Sequence, residues 1–379
     1  MVKPRAVLSG LKICEHGGER ERAGCRERNT ADEPGLELID FSVNLNPYGP
    51  PGFVFAAIKE AIEEIGLYPD TECRLLREKI ARKFNREMDN ILVGAGVSEL
   101  IQLIALAFVK QRVLIPEYTY GEYEVAARMM GAEIKHIAMP LPALRIYPEL
   151  ILDAMKPDDV IFLCNPNNPT GQYLVKKEIE QVLEEAERVD ALVVIDEAYV
   201  DFVQNAFPTH RLVTPNLVIL RSLTKSFTIP GVRIGYAISS EAIITEMEKV
   251  KVPWSVSACA EKVGMAVIDK EGDEFLVDTM ERIERSKGKI ERAMGVDVQI
   301  QTDANFYILD LGDGDAREVK RVLLTENGIR VRDCTSFGLP SHIRFAVRTD
   351  EENELLINRL SEDFLRNIKN DSHRDRRGG

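Results

Sequence analysis

The sequence lacks any apolar run approaching the ~20 residues of a membrane-spanning helix. Its N-terminus also lacks the apolar segment of a secretory signal, so a cytoplasmic location is expected. The six cysteines, at 14, 25, 73, 164, 259 and 334, include no C-x-x-C pair. Their scatter argues against a disulfide framework and reads as reduced thiols. Cys14, His16 and Cys25 lie near one another, but they lack a fourth ligand and fit no finger spacing, so no metal is expected. Basic residues are outnumbered, 49 Lys and Arg against 62 Asp and Glu, for a net charge of −13. A nucleic-acid surface needs a basic stripe, so a nucleic-acid partner is not expected either. A small anion held in a local basic pocket is still compatible with this balance. Neither an internal repeat nor a low-complexity block is present.

What is present suits a large soluble core: 379 residues, 45% of them hydrophobic, long enough for two domains. Residues 1–50 read as an N-terminal arm and part of a small domain. Residues 51–255 read as a large domain, 256–366 as a small C-terminal domain and 367–379 as a polar tail. The stretch 53–88 predicts two helices interrupted at GLYPD. From 91 to 240, short Val/Ile/Leu runs (RVLIP, DVIFLCNP, ALVVIDEAY, NLVILRSL, VRIGYAIS) alternate with amphipathic helices. That pattern predicts an α/β domain with a mostly parallel sheet covered on both faces, where ligands collect at the carboxyl ends of strands. A helical stretch at 256–294 leads into a smaller α+β unit with strands near 304–310 and 342–348.

Four motifs fall at those carboxyl ends. In GAGVSEL (94–100) the glycines permit a tight turn, Ser98 can cap the following helix, and the N–H groups of Val97 and Ser98 are open to an anion. In NPNNPTG (165–171) a rigid turn presents the amide of Asn168. In DEAY (196–199) Asp196 closes a buried strand, where a carboxylate is costly unless paired, and Tyr199 follows three residues on. RSLTKSFTIPGVRIGY (221–236) contributes Ser222, Lys225 and Arg233. Each motif alone also has a plain reading as a turn, a helix cap or a surface cation. Together they supply an amine, a carboxylate, an amide, a phenol and a phosphate cradle. That is the inventory needed to hold pyridoxal 5'-phosphate, with Lys225 as its Schiff-base lysine.

N-P-N-N-P-T-G, D-E-A-Y and S-L-T-K-S-F-x-x-P-G-x-R-x-G-Y, in this order, resemble the fold-type-I pyridoxal-phosphate enzymes, whose fold is aspartate aminotransferase-like. The resemblance covers about residues 36–366 and is strongest to the branch holding histidinol-phosphate aminotransferases and threonine-phosphate decarboxylases. It implies a homodimer with shared active sites. It also implies that Asp196 pairs with the pyridine nitrogen, that Asn168 and Tyr199 contact the ring hydroxyl, and that Val97, Ser98, Ser222 and Arg233 hold the phosphate. Tyr120 would stack on the ring, with Tyr118 as a rival, and Tyr68 would reach the neighbouring subunit's cofactor phosphate. Arg344 matches an arginine that forks onto a substrate anion.

EHGG (15–18), DFSVNLNPYGPP and Arg348 in RFAVRTDEEN resemble the decarboxylases more than the aminotransferases. They imply His16, Gly17, Asn44, Arg332, Arg344 and Arg348 as substrate-binding residues. The implied reaction is decarboxylation of L-threonine O-3-phosphate to (R)-1-amino-2-propanol O-2-phosphate in cobalamin biosynthesis. The alternative is a histidinol-phosphate or related amino-acid aminotransferase. A non-catalytic cofactor-binding protein would need an effector domain that this length and pattern do not show.

Overall fold

The computed structural model describes residues 5–8, 11, 14–15, 17–18, 38–212, 214–294 and 301–360. The elements begin with β1 (Ile39–Asp40), α1 (Gly52–Ile62), α2 (Arg74–Phe84), β2 (Ile91–Gly94) and α3 (Val97–Phe108). There follow β3 (Arg112–Pro116), α4 (Glu122–Met130), β4 (Glu133–Ile137), α5 (Pro148–Ala154), β5 (Val160–Cys164) and α6 (Lys176–Val189). Next come β6 (Leu192–Asp196), β7 (Leu217–Ser222), β8 (Gly235–Ile238), α7 (Glu241–Val250), α8 (Ala258–Val267) and α9 (Lys270–Met294). The chain closes with β9 (Phe306–Asp310), α10 (Ala316–Asn327), β10 (Ile329–Arg330), β11 (Arg332–Asp333), β12 (His342–Ala346) and α11 (Asp350–Arg359).

Strands β2–β8 form one sheet, in the order β2-β8-β7-β6-β5-β3-β4. Every pairing from β7 to β4 is parallel, and β8 runs antiparallel to both β7 and β2. The continuous apolar runs are used on both faces. Leu114, Ile161, Leu163, Val193, Ile195 and Ile219 enter one core, with residues of α1, α2, α6 and α8. Val113, Ile115, Val160, Phe162, Val194 and Val218 enter the other, with residues of α3, α4 and α7. Each such side chain contributes ~1.5–3 kcal/mol when fully buried. The sheet stands as expected, except for β4. EIKHI is mostly exposed and lies at the sheet edge, so its polar side chains gave no apolar run to read.

The chain divides into two compact units, residues 1–13, 45–282 and 302–304 in one, and 14–44, 283–301 and 305–379 in the other. The break falls at 282/283, inside α9, rather than at 255/256. Ala260, Val263 and Val267 of α8 share a core with Val54, Ala57 and Leu76, which keeps α8 in the first unit. In the second unit β11, β12 and β9 form an antiparallel sheet, and β1 pairs in parallel with β10. Phe41, Phe306, Tyr307 and Phe345 are buried there, Tyr307 and Phe345 stacked at 5.7 Å. Among the described residues no helix is long and apolar enough to cross a membrane.

Candidate active site

Sheet register gathers the ends of several strands of the first unit. Ser222 at the end of β7 and Gly94 at the end of β2 are both partners of Gly235 at the start of β8. A Cβ on Gly235 would stand 2.9 Å from the Arg221 carbonyl oxygen and 3.2 Å from the Val97 nitrogen, so glycine is what lets α3 begin here. Gly96, at φ +84°, caps α3 without any side-chain bond. A Cβ there would fall 2.6 Å from Arg233 Nη2. Arg233 itself has φ +61°, a backbone state costing on the order of 1–3 kcal/mol and retained mainly where surroundings enforce it. The Ser222 and Thr224 hydroxyls lie 2.8 Å apart. Uncapped helix N–H groups, a guanidinium and hydroxyls make an anion cradle. Ser98 does not cap the helix as expected; its hydroxyl meets that of Tyr120.

One strand over, Asp196 is buried at the end of β6, beside Cys164 of β5. Its Oδ2 accepts from the Tyr123 hydroxyl at 2.7 Å, and its Oδ1 from the Ala198 N–H at 3.0 Å. Burial pushes its carboxyl up to about 6, with the Glu197 charge adding to the rise. Those two donors and the Lys225 charge pull the other way. Tyr120 lies edge-on to Tyr123 and within electrostatic reach of Tyr199 and Asp196. Tyr118 instead packs on the opposite core, with its phenol against Glu117. In the 165–171 turn, Asn165 bonds both ways with Leu174, and Asn167 bonds Thr119, Thr170 and the Tyr118 carbonyl. Asn168 lies buried in the same turn, its N–H on Cys164 Sγ.

Lys225 sits half-buried on the loop after β7, a loop tied from two sides. The Asn46 N–H donates to the Lys225 carbonyl at 3.0 Å, and Asn46 Nδ2 to the Ser226 carbonyl at 2.9 Å. On the other side Ser226 Oγ donates to Asp201 Oδ2 at 2.6 Å, and Asp201 pairs with Arg221. Tyr68 stands apart from this cluster, 82% exposed, its ring 4.8 Å from that of Trp254.

The second unit gathers most of the expected anion-binding residues. Arg332 and Arg344 are register partners on β11 and β12. Arg332 Nη2 donates to the Glu15 carbonyl at 2.8 Å and to Ser336 Oγ at 2.6 Å. Gly18 donates its N–H to Ser42 Oγ, and a Cβ on Gly17 would be 2.5 Å from the Ser42 carbonyl oxygen. Arg344 Nη2 donates to that same carbonyl at 2.7 Å. Asn44, two residues on, is 1% exposed, and neither the nitrogen nor the oxygen of its side-chain amide has a hydrogen-bond partner among the described residues. Arg348 donates to the Asp40 carbonyl and pairs with Glu352 at 2.8 Å. His16 lies outside the described residues.

A phosphate cradle, a lysine and a buried carboxylate whose burial opposes its charge occur together in one unit, and the chain is a pyridoxal-phosphate enzyme of fold type I. The family model for aminotransferase class I and II matches residues 37–360, and the chain belongs to that family. It is 35% identical over 363 residues, 92% of this chain and 94% of the relative, to "Putative threonine-phosphate decarboxylase" of Caldanaerobacter subterraneus subsp. tengcongensis. It is 32% identical to a histidinol-phosphate aminotransferase of Symbiobacterium thermophilum, over 86% of this chain and 90% of that one. Its fold superposes with a TM-score of 0.78 on the histidinol-phosphate aminotransferase from Clostridium acetobutylicum, at 27% identity, covering 87% of this chain and 100% of that chain. The family depends on pyridoxal phosphate, and the residues fit it: Gly96 leaves the space a Cβ would fill beside Arg233, and Asp196 is a buried carboxylate at a strand end of the same unit.

Tyr123 and Asn46 escaped the sequence reading. An aromatic at helical spacing reads as core, which Tyr123 also is, and Asn46 was overshadowed by Asn44 in the same N-x-N-P string.

Proposed function

We propose that the enzyme decarboxylates L-threonine O-3-phosphate to (R)-1-amino-2-propanol O-2-phosphate, a step of cobalamin biosynthesis. The observation that carries this reading is Asn44. A buried amide without a partner costs ~1–3 kcal/mol, and this one follows directly on the segment that Arg344 and the Gly17–Gly18 backbone hold. Such a cost is offset when a ligand supplies the missing partners. Threonine phosphate carries two anionic groups, a carboxylate and a phosphate, and Arg332, Arg344 and Arg348 with His16, Gly17 and Asn44 would receive them. The relative from Caldanaerobacter supports the choice by name.

Pyridoxal phosphate, when bound, supplies an electron sink for the pair left behind when a bond at the substrate Cα breaks. The chain does the rest. Val97, Ser98, Ser222 and Arg233 would hold the phosphate, Asp196 the ring nitrogen, Asn168 and Tyr199 the ring hydroxyl, and Tyr120 would cover the ring. Lys225 would hold the cofactor through its amine, and Nζ or a water would deliver the proton to the carbon that loses CO₂. The substrate-binding arginines and Asn44 would orient the substrate and so decide which bond at its Cα breaks. Breaking the bond to the carboxylate would release CO₂; breaking Cα–H would lead to transamination.

That second outcome is the alternative reading, favoured by the Symbiobacterium relative, whose name is histidinol-phosphate aminotransferase. Incubating the enzyme with threonine phosphate and, separately, with histidinol phosphate tests the choice. CO₂ from the first supports the proposal; amino transfer from the second without CO₂ from the first supports the alternative. Assembly as a homodimer, with Tyr68 contributed to the second copy's phosphate site, belongs to the same proposal.

A further inference from the structure

Tyr123 has no assigned role, yet it holds the one carboxylate on which the cofactor's electronics depend. Its ring is fully buried, stacked on Phe162 of β5 at 5.1 Å and 8°, with Tyr120 against it edge-on at 5.5 Å. Its hydroxyl lies between two groups at the strand ends, donating to Asp196 Oδ2 at 2.7 Å and meeting the Cys164 thiol. A phenol used only to fill the core would not need its oxygen, since Phe makes the same stack. We propose that Tyr123 is a positioning residue of the cofactor site: its hydroxyl keeps Asp196 ionised and fixes its rotamer, so that the carboxylate can partner a protonated pyridine nitrogen. The inference requires pyridoxal phosphate and holds whichever reaction the enzyme catalyses.

The other groups facing Asp196 do not substitute for it. Glu197, next in the chain, opposes its charge, and Cys164 on β5 is a buried neutral thiol that meets the same Tyr123 hydroxyl and adds no cation. Tyr120 directs its hydroxyl to Ser98. Lys225 favours the carboxylate while it is charged, but that amine is the group the chemistry uses. The Ala198 N–H reaches Oδ1 only, leaving Oδ2 to Tyr123. Removing the phenol oxygen therefore raises the proton affinity of Asp196 and weakens its hold on a cationic ring.

The test compares cofactor-free wild type with Tyr123→Phe, titrated at neutral pH with pyridoxal phosphate and with its 1-deaza analogue, in which carbon replaces the ring nitrogen. A charge-assisted hydrogen bond is commonly worth about one to two decades in an equilibrium constant. Tyr123→Phe should thus bind pyridoxal phosphate about tenfold or more weakly and bind the deaza analogue no more weakly than wild type does. In an Asp196→Asn background the same substitution should leave pyridoxal phosphate affinity unchanged, because the group it acts through is gone. Equal losses for both ligands would mark Tyr123 as packing alone and overturn the proposal. So would an unchanged affinity for pyridoxal phosphate, or a loss that persists in the Asp196→Asn background.

Discussion

The proposed mechanism rests on two side chains, Lys225 and Asp196, about which the sequence was explicit. An apolar run ending in Asp, and a Lys among hydroxyls after the next run, were legible because a parallel sheet delivers consecutive strand ends to one edge. Tyr123 was not legible, since only the fold, which sets it against Phe162 of β5 and Asp196 of β6, turns a core aromatic into a donor. Two outcomes follow at this scale. Borohydride should fix cofactor on Lys225 in wild type, and Lys225→Ala should carry no such label by peptide mass analysis and lose at least three decades of kcat. Asp196 also makes the cofactor-free protein pH-sensitive. Its folded affinity for a proton is raised, from 3.8 to about 6, so this group favours folding below pH ~4 and loses that benefit as pH rises through about 6, by roughly 3 kcal/mol. Urea unfolding of Asp196→Asn against wild type should show the variant gaining relative stability by that order between pH 4 and 7. A constant difference across that range would contradict the assignment.

Among the elements, α3 shows how local backbone makes a binding site. Its N-terminus is open because Gly96 occupies positive φ and offers no capping side chain. Gly96→Ala would cost ~1–2 kcal/mol from backbone alone and would push the Arg233 guanidinium from its place. Pyridoxal phosphate affinity should drop about tenfold, read by absorbance titration, while the secondary-structure signal stays native. The glycines of GAGVSEL foretold the turn. The hydroxyl of Ser98 was assigned to the wrong partner, because a cap and a tyrosine contact cannot be told apart without knowing where Tyr120 lies. Helix α9 carries a similar lesson. Its continuous helical pattern gave no sign that the unit boundary falls within it, since a boundary is set by what each half packs against.

For the whole molecule, the first unit exposes apolar side chains that the proposed homodimer would cover. Leu67, Tyr68, Leu75 and Trp254 are all exposed, an arrangement common where copies associate. Sedimentation should report a dimer. Subunits carrying Tyr68→Phe, mixed with subunits carrying Lys225→Ala, should regain activity, because one site of each hybrid then has both residues intact. A verified hybrid with no recovery would argue against a shared site. The expectation of Tyr68 rested on GLYPD standing outside the sheet pattern, and the hybrid experiment is its test.

The central claim is the choice of bond broken. It is tested most directly with L-threonine O-3-phosphate labelled in its carboxyl carbon, following labelled CO₂ and keto acid in the same reaction for wild type and Asn44→Ala. Wild type should release CO₂ with little keto acid, and Asn44→Ala should lose about one to two decades of kcat/KM, as expected for one or two lost hydrogen bonds to a charged group. Keto acid without labelled CO₂ from wild type would contradict it.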